Sequence, residues 1–93
     1  MNPEPSQDKS LTISVCFFAR LRETLGTERL TLTIPAGSQV NAVLASLASR
    51  GGPWAELTSG QPVMIAVNQT MARGSTPLED RDEVALFPPV TGG

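Results

Sequence analysis

The sequence predicts an α+β domain, with one main helix packed on one face of a mixed four- to five-stranded sheet. Three observations carry this expectation. Residues 11–18 and 28–34 alternate apolar and polar, the segment around 38–50 repeats apolar residues at helical spacing, and 62–67 and 83–87 return to strand patterning. At 93 residues the chain has room for one such domain. A domain of this size buries roughly 60–65% of the surface its unfolded form exposes.

The first strand is read from its period. Leu11, Ile13, Val15 and Phe17 share one face; Thr12, Ser14, Cys16 and Phe18 share the other. Ala19 to Gly26 is short and mixed, and is expected to be a loop with one helical turn. From Glu28 to Ile34, Leu30, Leu32 and Ile34 point inward. These two strands are expected to pair antiparallel. Pro35-Ala36-Gly37 breaks the second strand, and Ser38 is placed to cap a helix. Val40, Val43, Leu44, Leu47 and Ala48 then recur at i, i+3, i+4, i+7 and i+8. Gly51-Gly52-Pro53 ends that helix.

Trp54 and Leu57 are expected to pin the connector, residues 54–60, to the core edge. The run Pro62 to Val67 reads as a buried or central strand. Asn68-Gln69-Thr70 reads as a turn and Met71-Ala72 as a returning stub. Residues 76–82 are turn-rich, and Glu83 to Phe87 alternates, with Val84 and Leu86 on one face. Met64 and Met71 are taken as core filler. A strand that follows the helix cannot form a hairpin with the strand before it, so a crossover is expected. The order matches the β-grasp arrangement, in which the first and last strands lie parallel in the middle. Three segments result: a disordered N-terminal extension over 1–10, the β-grasp domain over 11–87, and a flexible tail over 88–93.

Composition excludes several chemistries. With no His and one Cys, the chain has neither a Cys/His zinc site nor a Ser-His-Asp triad. The net charge is −2 and there is no basic run, so the footprint of a nucleic-acid binder is missing. No apolar stretch is long enough to span a bilayer. The start of the chain has neither a basic leader nor an apolar signal core, so the expected location is the cytoplasm. Cys16 has no activating neighbour in sequence and reads as a bystander thiol. Glu79, Asp80, Asp82 and Glu83 lack metal-loop spacing and read as a solvated turn; no metal site is expected.

The C-terminus is the distinctive part. Phe87 is followed by Pro88, Pro89, Val90, Thr91, Gly92 and Gly93. Fully extended, such a tail reaches about 20 Å. The terminal glycines have no side chains, so the end can enter a channel too narrow for a Cβ. Ordering it costs roughly 1–2 kcal/mol per residue, most for glycine; the prolines lower that by pre-setting the chain.

FFARLRETLG, VMIAVNQT and PLEDRDEVALFPPVTGG together resemble the small, sulfur-carrying subunit of molybdopterin synthase, the MoaD family of ubiquitin-like carriers. The resemblance spans about Leu11 to Gly93. It departs at Arg81, where members usually have Gly in a D-G-D turn, which leaves the geometry of that turn open. The resemblance implies that the Gly93 carboxylate is adenylated by an E1-like adenylyltransferase using ATP and receives sulfur from a sulfur donor protein. It implies delivery of that sulfur, as a thiocarboxylate, to a pyranopterin precursor held by the large, catalytic subunit. Pro88, Pro89, Val90, Thr91 and Gly92 would thread into that partner. The domain itself would bind no cofactor and would be a sulfur-donor subunit without catalytic side chains.

Strand parity puts Phe18 and Phe87 together on the face away from the helix, where they would anchor a partner, with Arg22 at the rim. The competing reading is a second small core under loops, with Arg22 merely solvated. Two other functions remain open: a sulfur carrier for thiamine, cysteine or tRNA thiolation, and a ubiquitin-like tag or interaction module.

Overall fold

The structure, a computed structural model, describes residues 10–59 and 62–88. The expected N-terminal extension (but for Ser10) and tail residues Pro89 to Gly93 lie outside them. The first strand, β1, runs Ser10–Phe17, beginning one residue earlier than the alternation suggests. Its inward residues Ile13, Val15 and Phe17 are fully buried. Strand β2, Arg29–Pro35, pairs with it antiparallel, placing Ile13 opposite Leu32 and Val15 opposite Leu30.

Between them lies a helix, α1, over Ala19–Leu25. This corrects the expected loop with a single turn. Leu25 is buried and Leu21 packs against the core, so two apolar contacts on one face suffice to hold two turns. Gly26, at φ 63°, ends the helix, and its N–H donates to the Arg22 carbonyl.

Helix α2, Val40–Ala48, lies as the apolar spacing predicts, with Val40, Val43, Leu44 and Leu47 buried. Its N-terminus differs from expectation. The Ser38 hydroxyl donates to the Pro35 carbonyl (2.6 Å) and does not cap the helix. The free N–H groups are instead taken by a distant loop: Val40 donates to the Thr76 carbonyl (3.0 Å) and Asn41 to that of Gly74 (2.8 Å). A 3₁₀ turn over Gly52–Ala55 and a short helix, α3, over Glu56–Ser59 follow. Leu57 is buried, and Trp54 meets Phe17 edge-on at 5.6 Å, so both pin the connector as expected.

Strands β3 (Met64–Val67) and β4 (Thr70–Ala72) form a hairpin. Asn68 and Gln69 both take positive φ, 51° and 70°, as a two-residue turn between twisted strands requires. Strand β5, Glu83–Phe87, completes a sheet of order β2-β1-β5-β3-β4. β5 pairs parallel with β1 and antiparallel with β3, which is the β-grasp arrangement. Val84 and Leu86 are fully buried under α2; burial of such side chains contributes about 1.5–3 kcal/mol each.

The turn before β5 binds three strands together. The Thr12 N–H donates to an Asp80 carboxylate oxygen (2.7 Å). Arg81 N–H donates to the Thr12 carbonyl (2.7 Å), and Ser14 N–H to that of Asp82 (3.0 Å). Asp82 accepts from the Glu79 N–H and from the Asn68 side-chain amide, both at 2.8 Å. Arg81 sits at φ 72°, the conformation that a glycine adopts without penalty. Its side chain is almost fully exposed, and its ion pair with Asp80, at 3.8 Å, adds little. Arg81→Gly is expected to raise stability by about 1 kcal/mol, read as a higher urea midpoint at unchanged slope. A lower midpoint would mean that the left-handed turn carries no strain.

Candidate functional site

The helix side of the sheet is covered; among the described residues no element covers the opposite side. On that open face the pairing register builds rows across the strands. Arg29, Cys16, Ala85, Ala66 and Met71 form one row, and Phe87 and Met64 stand opposite each other in the next. Phe18 follows the end of β1 in extended conformation, and its N–H donates to the Leu86 carbonyl (3.1 Å). Ala19 then takes φ 54° and turns the chain into α1. The result is a stacked pair: the Phe18 and Phe87 rings lie 4.9 Å apart at 11°.

This stack is not a second core under loops. Phe18 is 41% exposed and Phe87 half-buried. The rings form one end of a shallow apolar groove that continues over Ala85 and Ala66 to Met71. Met64 and Met71, expected in the core, are 39% and 62% exposed. The reason is register: a continuous apolar run hides its parity, and here Ile65 and Val67 face α2 while Met64 and Ala66 face out. An exposed apolar patch with a polar rim is a binding feature.

Arg22 lies on the exposed side of α1 and lines a second groove, with Glu28 and Arg29, beside the aromatic pair. Pro88, half-buried, is the last described residue and leaves β5 directly after Phe87. The remaining expected site residues, Pro89, Val90, Thr91, Gly92 and Gly93, lie outside the described residues.

The structure brings a basic neighbour to Cys16 that sequence order hides. Arg29, opposite Cys16 across β1–β2, approaches the sulfur at 3.5 Å and the Glu83 carboxylate at 3.3 Å. The thiol donates toward Glu83 at 3.5 Å. Burial pushes the Cys16 thiol above its ordinary value, the hydrogen bond to Glu83 adds to this, and Arg29 opposes it. The thiol is therefore protonated at neutral pH. Among the described residues no three His, Cys, Asp or Glu side chains converge to hold a metal ion. Of the acidic residues at 79–83, Asp80 and Asp82 accept hydrogen bonds in the turn, Asp80 pairs with Arg81, and Glu83 faces Cys16 and Arg29 across the sheet. No helix of the described residues is long and apolar enough to cross a membrane.

A β-grasp sheet with helices on one face and an aromatic pair on the other defines a ubiquitin-like domain. The chain matches the ThiS family over residues 15–93 and belongs to that family. It is 41% identical to the molybdopterin synthase sulfur carrier subunit of Escherichia coli (strain K12) over 81 residues, 87% of this chain and 99% of that relative. The solution structure of the Haloferax volcanii HVO 2177 protein is similar with a TM-score of 0.78 at 26% identity, covering 100% of this chain and 93% of that one. A chain of the complex of subunits 1 and 2 of the molybdopterin-converting factor from Helicobacter pylori 26695 gives a TM-score of 0.61 at 25% identity, covering 89% of this chain and 100% of that one.

Because Cys16 is buried and held protonated, its alkylation by iodoacetamide at neutral pH is expected to run at least about tenfold slower in the native protein than in urea. The measurement is the time course of mass increase. Equal rates would show that the thiol is open to solvent.

Proposed function

We propose that this chain is the sulfur carrier subunit of a molybdopterin synthase, with the Gly93 carboxylate as its working group. The observation that carries the reading is likeness, over nearly the whole length, to sulfur carrier subunits of that enzyme. The match to the ThiS family also runs through residue 93.

The chemistry follows from the state of the terminal group. A free α-carboxylate, with a pKa near 3.5, is an anion at neutral pH and repels nucleophiles. An E1-like activating enzyme is proposed to join it to the adenylyl group of ATP, with loss of pyrophosphate. That step removes the charge and provides a leaving group. The terminal sulfur of a donor protein's persulfide then replaces AMP to give an acyl disulfide, and a thiol cleaves that bond, becoming part of a disulfide and leaving a thiocarboxylate, a soft nucleophile suited to forming carbon–sulfur bonds. The carrier delivers it to a pyranopterin precursor in the large subunit, which provides the acid–base groups. No His is available here to do so.

The open sheet face is the proposed docking surface for that large subunit. The Phe18–Phe87 stack is its aromatic anchor, and Arg22 lies at its rim. The Helicobacter pylori complex of subunits 1 and 2 supports a two-subunit arrangement. Because Phe87 immediately precedes the tail, docking of the face places Pro88, Pro89, Val90, Thr91 and Gly92 at the entrance to the partner's site.

Two experiments test this reading. Incubation with the activating enzyme, ATP, a persulfide donor and a thiol reductant is expected to yield, by intact mass, protein with one oxygen exchanged for sulfur. Deletion of Gly93 is expected to abolish loading with an unchanged circular dichroism spectrum; loading that persists would refute the role of the terminus. Reconstitution with the large subunit and precursor then identifies the product, and sulfur transfer only to another acceptor would reassign the pathway. Separately, Phe87→Ala is expected to weaken binding to the large subunit by about 1–3 kcal/mol, measured by calorimetry. Unchanged affinity would remove the ring from the interface.

A further inference from the structure

Two thioethers stand on the open face, and the sulfur chemistry proposed above uses neither. Met71 is 62% exposed and Met64 39%. Met71 lies in β4 at the edge of the sheet and shares the apolar groove with Phe18 and Phe87. Met64 stands opposite Phe87 in the β3–β5 register. Met64 thus stands beside the aromatic anchor, and Met71 at the far end of the groove from it.

The rival sulfur is protected. Cys16 is buried beneath the Arg29–Glu83 pair, and its thiol is held protonated. A cysteine reacts with hydroperoxides as the thiolate, whereas a thioether needs no deprotonation. The usual order of sulfur reactivity is therefore inverted among the described residues: the exposed methionines meet a two-electron oxidant first.

We propose that Met71, and after it Met64, is a reversible oxidation site through which a hydroperoxide turns off docking of the carrier. The consequence for docking rests on the assignment of the open face to the large subunit. In the step itself, the thioether sulfur attacks the terminal oxygen of the hydroperoxide. An S–O bond forms and the O–O bond breaks. The sulfur loses two electrons, and the hydroperoxide is reduced to its alcohol, or to water for hydrogen peroxide. The departing oxygen takes the proton of the transferred hydroxyl. A dithiol reverses the change, giving its disulfide and water. At Met71 the sulfoxide oxygen would add a strong hydrogen-bond acceptor to the margin of the open face. A partner covering it must strip its water without supplying a donor, which weakens binding.

The test uses unloaded full-length protein and limiting hydrogen peroxide. A sulfoxide and a sulfur-for-oxygen exchange add nearly the same mass, so the site is read from digested peptides. Sulfoxide at Met71 ahead of Met64, with Cys16 still free to alkylate after unfolding, is the expected result. Oxidation of Cys16 first, or of Met64 ahead of Met71, overturns the site. Binding to the large subunit is then expected to fall at least about fivefold after peroxide and to recover after treatment with methionine sulfoxide reductase and dithiothreitol. Unchanged affinity overturns the switch. The double variant Met64→Leu, Met71→Leu is compared with itself before and after peroxide; a loss as large as that of the unsubstituted protein also overturns the switch. If untreated protein fails to bind the large subunit, the proposed partner is refuted and the switch with it, while the peptide map still decides the oxidation site.

Discussion

The parallel pairing of β1 with β5 is the constraint on which the rest of the molecule depends. It joins the two ends of the described chain, with Ser14 beside Glu83 and Phe17 beside Leu86. Closing so long a loop is entropically unfavourable, although the penalty grows only with the logarithm of loop length. Two things oppose it. Val15, Phe17, Val84 and Leu86 are buried almost completely against α2. At the entrance, the 79–83 turn ties β5 to the backbone of Thr12 and Ser14 and, through Asn68, to the β3–β4 hairpin. Asp80 and Asp82, part of what looks like a charge cluster in the sequence, supply carboxylate acceptors to this knot. Because the pair is parallel, both strands finish at the same edge, which sets Phe18 against Phe87 just where the chain departs.

The two faces of the sheet follow different rules. The face under α2 is filled by branched aliphatic side chains and Phe17, with Trp54 closing one end and Arg50 lying over the indole at 4.8 Å. The other face is small and flat in the middle, at Ala66 and Ala85, and bulky at its margins, at the Phe pair and Met71. A surface of this shape gains nothing for the isolated domain, since its large side chains remain partly in water. Its apolar area becomes favourable only when a second molecule removes that water.

Much of this was readable from periodicity. Strict alternation identifies the inward residues of β1, β2 and β5, and helical spacing identifies those of α2. The parity of Phe18 and Phe87 on the open face follows from the same alternation. What could not be read has physical causes. In α1 the pattern is too short for its period to separate a helix from a loop. In PVMIAV every residue is apolar, so the face of each depends on register with β5; the exposure of Met64 is visible only once Phe87 stands opposite it. The cap of α2 comes from Gly74 and Thr76, more than thirty positions away in the chain, and the Arg29–Cys16–Glu83 group spans three strands. Both are products of tertiary pairing, which no local window contains.

In the proposed reading the reactive group is the chain's last residue, beyond β5 (Glu83–Phe87) and apart from acid–base side chains, which has a physical advantage for a carrier. A nucleophile surrounded by acid–base groups would react wherever it met an acceptor. The chain has no His, and Cys16 is buried and protonated. Transfer then requires two conditions at once: a face that recognises the partner, and an end slim enough to enter it. In that reading Pro88 and Pro89, whose rings fix φ, reduce the entropy lost when the end is threaded. On that reading reactivity is conditional on recognition, because the parallel β1–β5 pairing brings the Phe18–Phe87 pair and the start of the proposed delivery arm to the same end of the sheet.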